Sequence, residues 1–164
     1  MTAPRALGES VRPRRLADVV SRPLNFTVRQ QLVERVLGTL HRRLGLATIA
    51  LFLVTGAVMR SHHVHLLPVD SALRMLFRSR HIYLLFSGLI NVSVGLRFVL
   101  PSSGRGSRIA LAGSLLTLTS PVLLAVAFAL EPMHSGQFGP VSGFGVFAAF
   151  LGVSLYSLGT WRRQ

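Results

Sequence analysis

Three of the chain's six histidines fall within four positions, in the stretch MRSHHVHLLPVD from Met59 to Asp70. Neutral imidazoles suit zinc, copper, iron and nickel, and carboxylates can complete such a shell. An extended backbone would turn His63 and His65 the same way, and a helix would do so for His62 and His65. Two further histidines, His81 and His134, stand at the ends of long apolar runs. Held on separate helices, they form a candidate axial pair for haem b. Asp70 and Glu131 are the only acids beyond residue 34 and offer additional ligands. The candidate set for a divalent transition metal is therefore His62, His63, His65, His81 and His134, with the two carboxylates. The competing chemistry is plainer: amphipathic histidines at a polar boundary, or a surface that responds to pH.

Four apolar runs must position these residues. Leu44–Met59, Ile82–Leu100, Ile109–Leu130 and Phe138–Leu158 are almost free of acids. A spanning helix needs roughly 20 such residues. The first run holds only 16 between Arg43 and Arg60, a deficit that snorkelling arginine stems can cover. Half of all residues are hydrophobic, and the mean hydropathy is +0.52. The expected fold is an all-α membrane protein with four transmembrane helices in a bundle, spanning residues 44–158. Before it come a flexible basic tail over 1–23 and an amphipathic juxtamembrane helix over 24–43. A basic cytoplasmic terminus over 159–164 follows.

The net charge of +13 comes from 18 arginines with no lysine. Four spans place fourteen of them on the side of the two termini and four, Arg60, Arg74, Arg78 and Arg80, on the other. Basic short loops stay cytoplasmic, so both termini are expected inside, in a bacterial inner membrane or, less readily, a mitochondrial one. The basic excess then meets the anionic inner leaflet, and nucleic acid is not expected as a partner. His62, His63, His65, His81 and His134 all fall on the outer face, and His41 alone on the inner. The absence of cysteine excludes disulfides and thiolate metal sites. Residues 1–40 contain no apolar core of a cleavable signal.

Within this frame, Val28, Leu32, Val33, Val36, Leu37 and Leu40 follow helical spacing opposite Arg29, Gln30, Gln31, Glu34 and Arg35, as expected of a helix on the inner leaflet. VDSALRMLFRSR suggests a separate short helix at the outer interface. Asn91 lies mid-span, where an amide bonds to a neighbouring helix or touches a substrate. Pro121 deprives the Thr117 carbonyl of its donor, a loss that the Thr117 or Ser120 hydroxyl could make good. Gly139 with Gly143, and Ala148 with Gly152, are small-xxx-small pairs suited to close helix contact.

The stretch LHRRLGLATIALFLVTGA, Leu40 to Ala57, resembles the first helix of the PepSY-associated transmembrane family. There an LHRxLGL start and a late TG bracket the span. His41, Arg42, Gly45, Thr55 and Gly56 occupy the matching positions. The resemblance implies a membrane redox setting, with His41 near a haem held between helices. No PepSY domain follows in this chain.

No nucleophile elbow, phosphate loop or spaced acidic pair marks a soluble catalytic mechanism. The functional expectation is a non-catalytic accessory or assembly subunit contacting other membrane subunits. The alternatives are a haem- or metal-binding redox protein using the outer histidines, and a small transporter using Asn91 and the Pro121 kink.

Overall fold

The computed structural model describes residues 16–62, 71–101, 104–134 and 139–161. They form four α-helices and, among the described residues, no strand: α1 (Leu16–His62), α2 (Ser71–Leu96), α3 (Arg105–His134) and α4 (Pro140–Trp161). Three stretches, Val28–Ser61, Arg105–Glu131 and Pro140–Trp161, are long and apolar enough to cross a membrane. α2 falls short on composition, because it carries Arg80, His81, Ser87 and Asn91.

Two expected boundaries vanish. Residues 24–43 and the first apolar run share one 47-residue helix with no break at Arg43. At 1.5 Å per residue it is about 70 Å long, more than twice a hydrocarbon core of about 30 Å. It begins at Leu16, inside the expected tail; residues 1–15 lie outside the described residues. The short outer helix likewise runs unbroken into α2. Neither junction holds a proline to stop a helix, and Gly45, just past the first, is kept helical by its packing on Gly88.

α1 pairs with α2, and α3 with α4, as antiparallel hairpins. In each, glycines seven residues apart bring the backbones together. A Cβ on Gly45 would lie 2.7 Å from the Gly88 carbonyl oxygen, and one on Gly95 would lie 2.8 Å from that of Gly38. In the second hairpin, a Cβ on Gly152 would lie 2.9 Å from the Gly113 carbonyl oxygen, and one on Gly159 would lie 2.7 Å from that of Gly106. Small residues permit such approach where hydrophobic exclusion from water is absent. The heptad spacing keeps the seam facing its partner along the whole pair. The hairpins meet chiefly through α2 and α3, while α1 and α4 flank them and, among the described residues, do not touch each other. The section is a rhombus with α2 and α3 on its short diagonal.

Leu84, Leu124 and Tyr156 are buried, but polar side chains share the interior with them to an extent unusual for a water-soluble protein. The interior holds His41, Thr48, Arg80, Ser87, Asn91, Ser114, Thr117, Ser120 and Glu131, while Leu46, Leu53, Ile82, Phe144 and Phe147 are among the exposed residues. In water that surface would be an aggregation liability; in hydrocarbon it is the favoured one.

α2 ends at Leu96, four residues before the end expected for the second run, and the chain turns through residues 97–101. Glu34 Oε1 accepts from Leu100 N at 2.9 Å, and Gln30 donates to the Leu100 carbonyl at 2.9 Å. Tyr156 Oη accepts from Val99 N at 2.9 Å. Gly104, at φ 87°, completes the turn into α3. That left-handed conformation favours glycine.

Candidate functional site

The seams of the two hairpins enclose a ladder of polar side chains with Asn91 at its centre. Asn91 Nδ2 donates to the Ser87 carbonyl at 3.0 Å and to the Thr117 carbonyl at 3.1 Å. Two carbonyl partners identify that atom as the amide nitrogen, so Oδ1 is the acceptor facing His41 Nδ1 at 2.8 Å. His41 Nδ1 must therefore carry the hydrogen. In the neutral ring Nε2 then accepts from the Ser114 hydroxyl, 2.8 Å away. Three helices are tied at one point, and the tautomer follows from the geometry.

The Thr117 carbonyl is the one that Pro121 orphans. Its donor comes from Asn91 on the neighbouring helix, whereas the sequence suggested a hydroxyl on α3 itself. Thr117 Oγ1 instead donates to the Gly113 carbonyl, and Ser120 Oγ bonds to Ser87 Oγ at 2.9 Å. Asn91 thus bonds to α1 and α3 as well as to its own helix, with both amide hydrogens and Oδ1 engaged.

His41, which sequence reasoning set apart as the lone inner histidine, is fully buried at the centre of the ladder. Both ring nitrogens are engaged, so neither is free to bind a haem iron in this arrangement. The missed signal was heptad spacing: Glu34, Gly38, His41, Gly45, Thr48, Phe52 and Thr55 alternate by four and three along α1. That is a core pattern written in small and polar residues.

His81 sits on the same seam. Its Nδ1 lies 3.1 Å from Thr55 Oγ1, and its ring stacks on Phe52 with centroids 4.0 Å apart. A Cβ on Gly56 would lie 3.1 Å from its Nε2. Thr55 and Gly56, which carry the late TG of the resemblance, thus form the berth of the His81 imidazole. The ring is directed at α1.

Glu131 closes the ladder. Its Oε2 lies 3.0 Å from Arg80 Nε, with both side chains buried, and its Oε1 accepts from Ser142 N at 3.0 Å in the first turn of α4. Oε2 makes no aligned hydrogen bond, so the contact with Arg80 is an ion pair. Arg80 Nη1 has no hydrogen-bond partner among the described residues. A Cβ on Gly139 would overlap the Glu131 carboxylate.

Of the remaining candidate ligands, His62 ends α1 and His134 ends α3, with their side chains outside the described residues, as are His63, His65 and Asp70. Among the described residues, no three of histidine, cysteine, aspartate and glutamate come together in a group that could hold a metal ion. Of the small pairs noted in α4, Gly152 packs on α3, whereas Gly143 faces open space.

Comparison of the chain with protein-family models, curated proteins and solved structures finds no match to any of them.

Proposed function

We propose that the chain is a four-span inner-membrane protein with both termini inside, acting as a non-catalytic accessory or assembly subunit that engages another membrane protein through α1. The uncovered state of α1 carries this reading. Of its most apolar window only 11% is buried within the chain, against 39% for α3 and 33% for α4. α1 is held along one face by α2, and Leu46, Leu53 and Val54 on its outer side are each about 60% exposed. The internal polar groups support the same reading: Asn91 and His41 serve each other and the helices around them. Four spans follow if α2 crosses with its polar residues turned inward, as membrane helices do when they carry such groups. Within this reading the amphipathic stretch of α1 continues the span inward, meeting anionic headgroups with its arginines.

The test is a photo-crosslinking amino acid placed at Leu46, Leu53 or Val54 in intact membranes, with Val122 on α3 as the reference. Discrete protein adducts are expected from the α1 positions. Lipid adducts alone from all four sites would remove the subunit role. A Soret band in the purified protein would replace it with electron transfer.

A further inference from the structure

We propose that a groove at the arginine-rich end of the α1–α2 hairpin binds the phosphate of an anionic phospholipid headgroup. The groove has a volume of about 470 Å³ and is lined by Arg35, Arg42, Gly95, Leu96 and Phe98 among others. Its floor exists because Gly38 and Gly95 let the helices close. Arg42 is set across that floor: a Cβ on Gly95 would lie 2.7 Å from Arg42 Cγ. The guanidinium is steadied by Nε donating to the Gly38 carbonyl at 3.4 Å and Nη2 to Thr39 Oγ1 at 3.3 Å. Its Nη1 makes no hydrogen bond among the described residues and is free for an incoming oxygen. Arg35 lies seven residues earlier on the same helix, about 10.5 Å along the axis, and has no partner among the described residues.

The one acid in the groove, Glu34, turns Oε1 to Leu100 N and Gln30. The lining therefore carries a net positive charge. The surroundings select a lipid over a soluble anion. Leu96 lines the groove beside Phe98 and is 67% exposed. Cationic donors meeting a bare apolar surface match a phosphate joined to acyl chains. The proposal rests on the reading that this end of the chain meets the inner leaflet.

The full chain, in detergent, is titrated with phosphatidylglycerol and the bound lipid counted by native mass spectrometry. Arg35→Gln/Arg42→Gln is expected to weaken binding roughly 30-fold, about fivefold for each arginine. Arg43→Gln/Arg108→Gln removes the same charge from exposed positions outside the groove and should leave affinity within about threefold. Equal loss in the two double variants would mean diffuse charge and overturn the groove. Equal binding of phosphatidylcholine, or displacement of the lipid by inorganic phosphate, would overturn the anionic-lipid assignment. Both groove arginines are exposed, so folding should survive; the single variants, each expected at about fivefold, carry the test if the double variant does not fold. Detergent removes sidedness, so a failure here is distinct from a failure of orientation, which cysteine labelling reads separately.

Discussion

Asn91 connects two residues that look unrelated in sequence. Pro121 removes a backbone donor from α3, and an amide on α2 replaces it. This predicts a coupling. Asn91→Leu should destabilise by about 1–2 kcal/mol, the upper range for polar contacts in membranes. In a Pro121→Ala background, where the backbone N–H can serve Thr117 again, the same change should cost measurably less. A double-mutant cycle on thermal unfolding in detergent checks it, and strict additivity would separate the two residues. The Arg80–Glu131 pair makes a sharper demand. Glu131→Ala strands a buried guanidinium, at a cost of about 3–5 kcal/mol, whereas Arg80→Leu/Glu131→Leu should be milder than Glu131→Ala alone. Equal melting temperatures for those two variants would argue against the pair. Little at this scale was legible beforehand. Asn91 could be read as a residue that bonds across helices, but its partner His41 is 50 positions away in sequence, and His41 reads from sequence only as the lone inner histidine, near a haem by resemblance.

At the scale of helices, the apolar runs announced α1, α3 and α4, because length and hydropathy are sums over many residues and tolerate single exceptions. Ends were less legible. The expected start of the juxtamembrane helix is residue 24, yet α1 begins at Leu16, and α2 stops at Leu96 because Glu34 and Tyr156 hold the next stretch of chain by its amides. Such contacts span 57–66 positions and leave no local trace. The seams were hidden for another reason: a search for apolar periodicity passes over a core made of glycine, serine and threonine. They predict which glycines matter. Gly113→Leu, against the Gly152 carbonyl 2.6 Å from the added Cβ, should cost several kcal/mol or prevent folding, since backbone has no rotamer to yield. Gly143→Leu, into open space, should shift the melting temperature little. Size-exclusion profiles and unfolding midpoints of the two variants, compared side by side, decide whether the seam holds the hairpin together.

For the whole molecule, orientation is the property on which the rest depends. With no native cysteine, Ser61→Cys should react with a membrane-impermeant maleimide on intact cells, and Thr160→Cys only after lysis. The reverse pattern would invert the topology and place the outer histidines inside. Arginine asymmetry made this expectation possible from sequence alone, because charge bias acts on loops irrespective of how the helices pack. The packing itself, with α1 and α4 apart, was not available from the same data, since every helix carries apolar residues on its outer side.

The polarity of α2 bears on how the chain is made. A helix with Arg80, His81 and Asn91 is a poor candidate for partitioning into lipid by itself. Its glycines and polar groups are matched by those of α1, which is synthesised just before it. If α2 crosses as proposed, it would enter the bilayer as the second arm of a hairpin, sheltered by a helix already at the translocon. On that reading, biogenesis of this half of the molecule is a paired event, with α1 kept at the insertion site until Gly88 and Gly95 have emerged to meet it.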